Sequence, residues 1–210
     1  MWQIFLELKA LMELEERIDY TFERDLLIAK DYYPSNIVPI IIDRDNKLEL
    51  KKAKWGFSTF DNKLIINARS ETLLEKPFFK KEVITHRCLI PASGFYEWDG
   101  HKHKFTFENE KRSLLLMTGI YRNVNGQTEV TIVTTKANKS MCEIHDRMPL
   151  ILEEHLNHDW LENRHIEALL RTVPQSLTIT SGFCKVVYFR HMICYFDIRT
   201  YTYGVPNTIL

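Results

Sequence analysis

Three short segments of the sequence combine residue types that could act together on a substrate. Residues 66–72 (INARSET) end a predicted strand with an amide, a guanidinium and two hydroxyls that could bind a ligand. Residues 94–98 (GFYEW) place one carboxylate, that of Glu97, within an aromatic strand. Residues 145–149 (HDRMP) bring an imidazole next to a carboxylate and a cation. Such groups could clamp a phosphate and transfer protons.

Each segment also has a purely structural interpretation. Residues 66–72 are typical of a strand that leads into a helix, with Ser70 as its N-cap and Arg69 in solvent. Aromatic, desolvated surroundings favour the protonated form of a carboxyl group, which suits acid and base catalysis, but Glu97 could equally lie on the exposed face of an edge strand. Strand alternation places Glu97 on one face with Phe95, and places Tyr96 with Trp98 on the other. The pair His145 and Asp146 could be a simple capping arrangement.

The composition is that of an ordinary globular domain. The 210 residues suffice for one domain with a sizeable core, and the hydrophobic share of 45% and charged share of 27% indicate neither disorder nor a fibrous protein. The 28 basic and 28 acidic residues balance, which excludes nonspecific coating of nucleic acid through a strong overall field but leaves room for a local basic groove.

The cysteines and the hydropathy point to an intracellular setting. Cys88, Cys142, Cys184 and Cys194 form no CxxC pair and follow no secretory signal, so we expect free thiols in a reducing cytoplasm. There is no HExxH motif, and we expect neither a metal nor another cofactor. Because no apolar run approaches the roughly 20 residues that span a bilayer, we expect no membrane partner.

The elements that must position these segments can be read from periodicity. Apolar residues recur near helical spacing over residues 3–30, which predicts an amphipathic helix that ends before Pro34. Short segments rich in β-branched and aromatic residues follow, and they predict strands at 37–42, 48–56, 64–68, 86–98, 104–108, 113–121 and 129–135. Helices are predicted at 73–80, 138–142 and 153–172. The pattern is that of an α+β domain with a mostly antiparallel sheet.

These segments occur in an order that identifies a family. The chain resembles the SOS-response-associated peptidases, also called abasic-site processing proteins, over about residues 33–161. The matching segments are WGF (55–57), NARSET (67–72), KPF (76–78), RCLIPA (87–92), GFYEW (94–98), TGIY (118–121), TTKAN (134–138) and HDRMP (145–149). The resemblance implies a single domain with a barrel-like β core and peripheral helices. We expect residues 1–31 to be a divergent N-terminal helix, 32–172 the family-like core and 173–210 a divergent C-terminal segment.

The resemblance also implies a function in DNA repair and roles for individual residues. Family members bind single-stranded DNA that contains abasic sites, and a cysteine at position two links covalently to the ring-opened sugar as a thiazolidine; an autopeptidase activity accompanies this. By position, Asn67 would hold the N-terminal nucleophile, Glu97 would be the catalytic glutamate and His145 would assist proton transfer. The implied DNA-binding residues are Pro34, Trp55, Arg69, Trp98 and Arg147. We expect a cytoplasmic monomer.

The N-terminus departs from the family. Position two is Trp2, and the first cysteine is Cys88, within a predicted core strand. Cys88 has no adjacent α-amine and cannot form a thiazolidine, so we expect no such crosslink. Two explanations are open. A misassigned start or a frameshift has replaced the family's first strand, or the function has changed. The chain is then an abasic-site enzyme or a noncovalent single-stranded DNA-binding module; an ordinary protease is disfavoured because the sequence contains no recognisable protease motif.

Overall fold

The structure is a computed structural model that describes residues 3–17, 28–181, 187–189 and 192–194, the last two segments by their backbone only. The strands are β1 (Gln3–Leu6), β2 (Lys30–Tyr32), β3 (Ile37–Arg44), β4 (Lys47–Trp55), β5 (Phe57–Ser58), β6 (Leu64–Ile65), β7 (Asn67–Arg69), β8 (Arg87–Ala92), β9 (Gly94–Trp98), β10 (Lys104–Glu108), β11 (Leu115–Val124), β12 (Gln127–Lys136), β13 (Arg147–Pro149), β14 (Thr178–Ser181), β15 (Val187–Phe189) and β16 (Met192–Cys194). The helices are α1 (Leu8–Glu15), α2 (Pro77–Thr85), α3 (Asn157–Leu161) and α4 (Ile166–Leu169), with 3-10 turns at Ser70–Thr72 and Glu154–Leu156.

Five strands close into a barrel. Their order is β11, β8, β3, β4 and β12, and β12 pairs again with β11. Apolar side chains from these strands fill the interior, among them Ile40, Trp55 and Val133. β12 extends past the barrel and pairs there with β7 on one side and β13 on the other. The α+β class with a mostly antiparallel, barrel-like core is therefore confirmed.

A second, antiparallel sheet has the order β14, β10, β9, β1 and β2. The chain passes from the barrel into this sheet at Ser93, between β8 and β9. Gly94 is required at the start of β9, because a Cβ atom there would lie 2.4 Å from the carbonyl oxygen of Phe107 in β10. The close approach of the two strands fixes the position of Glu97, three residues further along β9.

The predicted helix over residues 3–30 is wrong at both ends. Residues 3–6 form β1 and residues 30–32 form β2, so that only Leu8–Glu15 is helical, while residues 18–27 lie outside the described part of the chain. All four residues of β1 are buried, and the strand pairs with β9 on one side and β2 on the other. A short apolar run that is buried on both faces lacks the alternation of a half-buried strand. The apolar residues of β1 happened to fit the helical spacing of the residues that follow. The interpretation that a helix replaced the first strand is wrong as well.

The predicted strands are all present, whereas β5 and β13 to β16 were not predicted and the three predicted helices differ from the structure. The predicted strand 104–108 has the bounds of β10, and the other predicted strands are shifted or split by a few residues. The helix predicted at 73–80 begins at Pro77, which favours the first turn of a helix. Residues 138–142 form turns. The helix predicted at 153–172 is divided because Asn163 and His165 adopt left-handed backbone angles, with φ of 64° and 51°. No helix in the described ranges is long and apolar enough to span a bilayer.

Candidate functional site

The extension of β12 brings two of the three polar segments together. Asn67 lies opposite Ile132 and Arg69 opposite Thr134, through the parallel pairing of β7 with β12. On the other side of β12, Arg147 lies opposite Lys136. Segments that are almost 80 residues apart in sequence therefore flank a single strand.

The side chain of Arg147 crosses β12 and joins the two segments. Its guanidinium donates to both carboxylate oxygens of Glu71, at 2.6 and 2.9 Å, and to the carbonyl oxygen of Thr134 at 2.7 Å. These hydrogen bonds from Arg147 lower the pKa of the Glu71 carboxyl. The side chain of Arg147 is only 14% exposed. The structure therefore places Arg147 as a clamp within the protein, whereas the sequence suggested a cation that is free to bind a phosphate.

His145 is held by the backbone of the same arginine. Its Nδ1 accepts a hydrogen bond from the amide of Arg147 at 3.0 Å. The carbonyl oxygen of Arg147 lies 3.3 Å from Nδ1, and a carboxylate oxygen of Asp146 lies 3.2 Å away. When Nδ1 accepts this hydrogen bond, the neutral ring has its proton on Nε2, whereas a hydrogen bond to the Arg147 carbonyl requires the proton on Nδ1.

Three polar atoms at this site are buried without a hydrogen-bond partner among the described residues. They are Oδ1 of Asn67, Oγ of Ser70 and Nε of Arg147. The interpretation of Ser70 as a helix N-cap is wrong, because Ser70 is the first residue of a 3-10 turn and its hydroxyl caps nothing. A buried polar atom without a partner costs about 1–3 kcal/mol, so these atoms on elements that flank β12 mark a candidate ligand site.

An open cleft of about 640 Å³ lies beside Ser70. Its lining includes Ser70, Glu71, Thr135, Lys136 and Arg171. The volume is in the range of small-molecule sites, so the cleft could admit a sugar or a base. Arg69 is exposed at the end of β7 and is the cation of this segment that points to solvent.

Glu97 lies in the second sheet and is 1% exposed. Its Oε1 accepts the amide N–H of Trp98 at 3.1 Å. The alternative of an exposed edge strand is wrong, because β9 lies between β10 and β1. Gln3 lies opposite Tyr96, so β1 begins at the Glu97 end of β9. Glu97 is not part of the network around Arg147, which belongs to the barrel sheet.

The aromatic residues differ from the sequence interpretation. Trp55 is 1% exposed and donates its indole N–H to the carbonyl oxygen of Ile66 at 3.1 Å, so its ring packs in the core and its place in a DNA groove stays a prediction. Phe60, at the tip of the β5–β6 hairpin, is fully exposed and was missed. Trp98 is half-buried, and the Lys104 ammonium lies 5.7 Å from its ring centroid. Pro34 is half-buried in the turn between β2 and β3.

The cysteine thiols differ in their exposure to solvent. Cys88 is completely buried, and this burial raises the pKa of its thiol, which confirms the prediction of a core cysteine. Cys142 is exposed in the turn before His145. Cys184 lies outside the described residues, and the side chain of Cys194 is not described. No group of three or more metal-binding side chains occurs within the described part of the chain.

The fold and site together define a class: a small α+β barrel domain whose polar site lies on strands that extend from the barrel. Residues 7–181 match the family model of the SOS response associated peptidases (SRAP), and the chain belongs to this family.

Curated relatives are named abasic site processing proteins. The chain is 38% identical over 159 residues to abasic site processing protein YoqW of Bacillus subtilis (strain 168), a match that covers 65% of this chain and 70% of that protein. It is 35% identical over 167 residues to abasic site processing protein YoaM of the same organism, covering 69% and 73%. It is 26% identical over 161 residues to abasic site processing protein YedK of Escherichia coli (strain K12), covering 72% of each.

A solved structure shares the fold. The crystal structure of a protein from Bacteroides thetaiotaomicron superposes with a TM-score of 0.72 at 20% identity, covering 85% of this chain and 90% of that one. At this level of identity the similarity shows the fold alone.

Proposed function

We propose that this protein recognises abasic sites in single-stranded DNA and reacts with the ring-opened sugar through an amine. The observation that carries the proposal is the register of β1. Because Gln3 lies opposite Tyr96, the N-terminal strand enters the fold at buried Glu97, where a family with an N-terminal nucleophile needs its general base.

Three side chains would share the chemistry. Glu97 accepts a proton from the attacking N-terminal amine. By family resemblance Asn67, whose buried Oδ1 has no hydrogen-bond partner within the described chain, would orient that amine. The nitrogen adds to the aldehyde carbon, and His145 delivers the proton of Nε2 to the oxygen that leaves as water. The product is a Schiff base between protein and DNA.

The reaction stops at this reversible stage because residue 2 is tryptophan. A thiazolidine needs a thiol next to the attacking amine. Cys88 is in the core, and Cys142 lies on a turn within the chain, with no α-amine. The Schiff base should therefore be visible only after reduction.

Exposed and half-buried side chains would supply the contacts to DNA. Phe60 and Trp98 offer rings for stacking, and Arg69 and Lys136 offer cations. Stacking combined with local cationic contacts binds single strands without reading their sequence. A balanced net charge is compatible with this mode.

A gel experiment tests the proposal. The chain is incubated with a single-stranded oligonucleotide that carries one abasic site, or with an intact control, each with and without borohydride. We expect a shifted band on a denaturing gel only with the abasic oligonucleotide and borohydride. Glu97→Gln should abolish it, and Glu108→Gln, which changes another partly buried carboxyl of the same sheet, should not.

The second candidate is a noncovalent DNA-binding module, which the tryptophan at position two favours. In that case the oligonucleotide binds in native gels, but borohydride traps nothing. The variant Trp2→Cys shows whether the missing cysteine is the only defect. If the rest of the site is intact, this variant forms an adduct after removal of Met1, and the adduct survives heating without reduction.

A further inference from the structure

We propose that Glu71 is a positioning residue: through Arg147 it fixes the ring of His145 in the tautomer that carries its proton on Nε2. The catalytic meaning of this inference rests on the proposed function, whereas the tautomer itself can be measured without any activity.

Arg147 links Glu71 to His145 because its side chain binds one of them and its backbone binds the other. The guanidinium is bound at both ends by the Glu71 carboxylate, across β12. The backbone amide of the same residue donates to Nδ1 of His145. Since Arg147 is the first residue of β13, the position of this amide depends on where the side chain is anchored.

The groups around Nδ1 of His145 favour opposite tautomers of the ring. One donor, the amide of Arg147, lies at 3.0 Å. Two acceptors, the Arg147 carbonyl oxygen at 3.3 Å and the Asp146 carboxylate at 3.2 Å, would favour a proton on Nδ1 instead. The charged groups that face this unit are Asp146 and Arg147 at His145, and Arg147 and Lys136 at Glu71. A small shift of the Arg147 amide would therefore change the preferred tautomer.

Removal of the Glu71 carboxylate should produce that shift. Arg147 would keep only its contacts to Thr134, and its Nε is already without a partner in the described structure. A largely buried guanidinium without its carboxylate moves toward solvent or water enters beside it. The amide of Arg147 then no longer donates to Nδ1. In part of the population the proton of the neutral ring therefore lies on Nδ1 and not on Nε2.

The test is a long-range ¹H–¹⁵N spectrum of the histidine rings, recorded at a pH where the ring of His145 is neutral, with its signals identified from His145→Gln. We expect mainly the Nε2–H form in the unmodified protein and a mixture in Glu71→Gln. Glu154→Gln is the matched control, because Glu154 also bridges arginines, Arg17 and Arg112, on other elements. This control should leave the spectrum of His145 unchanged.

A kinetic measurement accompanies the spectrum. In single-turnover borohydride trapping, Glu71→Gln should slow adduct formation about tenfold, while the affinity for the abasic oligonucleotide changes less than twofold. Glu71→Asp, which keeps the charge but withdraws the carboxylate by one methylene, gives the same test if Glu71→Gln does not fold.

An unchanged tautomer in a folded Glu71 variant overturns the inference. If the tautomer changes but the unmodified protein yields no trapped adduct, the positioning stands and the proposed function fails.

Discussion

Phe60 follows Trp55 by only five residues, yet Trp55 is 1% exposed inside the barrel and Phe60 is fully exposed at the tip of the next hairpin. The indole of Trp55 is bound to the carbonyl of Ile66 and packs with the core. The hairpin that carries Phe60 is anchored below its tip, since Glu129 accepts hydrogen bonds from the amide and hydroxyl of Ser58. Of these two residues, Phe60 is therefore the one whose ring is exposed.

Phe60→Ala should weaken binding to single-stranded DNA without destabilising the fold. Stacking of one base on one ring contributes about 1–3 kcal/mol, which corresponds to roughly 5- to 150-fold in affinity. Fluorescence anisotropy with a labelled oligonucleotide measures it, and Phe60→Trp should retain binding. Leu8→Ala, at another exposed apolar residue, is the control; equal weakening in both variants would argue against stacking.

Trp55→Ala should destabilise the fold, in contrast to Phe60→Ala. A buried tryptophan replaced by alanine costs about 3–5 kcal/mol of unfolding free energy, and the carbonyl of Ile66 loses its donor. Urea unfolding followed by circular dichroism measures the loss. A variant as stable as the parent protein but impaired in DNA binding would return Trp55 to the DNA interface.

Asn67→Ala should lower the yield of trapped adduct by at least about tenfold, because Oδ1 no longer orients the amine. Its effect on unfolding free energy should be under about 1 kcal/mol, since this oxygen has no partner within the described chain to lose. Asn157→Ala is the matched control, because Asn157 also has a buried Oδ1 without a partner there, but in α3. Loss of adduct in both variants would mean that Asn67 has no special role.

The Glu129–Arg122 pair should make stability depend on acid pH. Burial tends to raise the pKa of Glu129, but hydrogen bonds from Ser58 and Arg122 outweigh burial, and the net shift is downward. A carboxyl whose pKa is lower in the folded state stabilises it above the unfolded value of about 4.3, and this contribution is lost as the pH falls through the folded value.

Glu129→Gln should therefore lower the unfolding free energy by about 3–5 kcal/mol at neutral pH, because Arg122 loses a buried partner. The difference between the two proteins should shrink on acidification below pH 4. Urea unfolding from pH 7 to pH 3 checks both statements, and a difference that stays constant over this range would contradict them.

Local patterns predicted most of the sheet because its strands alternate or are bounded by polar turns. β10 has the bounds of the predicted strand 104–108, and β12 extends only slightly beyond the predicted one. β1 was missed since all four of its residues are buried, and its identity comes from pairing with β9, far along the chain. Tertiary contacts of this kind leave no local periodicity.

The sequence supplied candidate residues for the site but not the contacts between them. Resemblance named Asn67, Glu97 and His145, whereas the ion pair of Glu71 with Arg147 joins residues 76 positions apart and leaves no signal in either segment. Phe60 did leave a signal, because an aromatic residue between Thr59 and Asp61, in a polar turn, has no core to enter.

The place of β1 between β9 and β2 also has a consequence for folding during synthesis. Tyr96 is translated 93 residues after its partner Gln3. Before β9 is made, β1 can pair only with β2. The strand pairing beside Glu97 therefore forms late and over a long separation in sequence, and a pairing of this kind is intrinsically slow to fold.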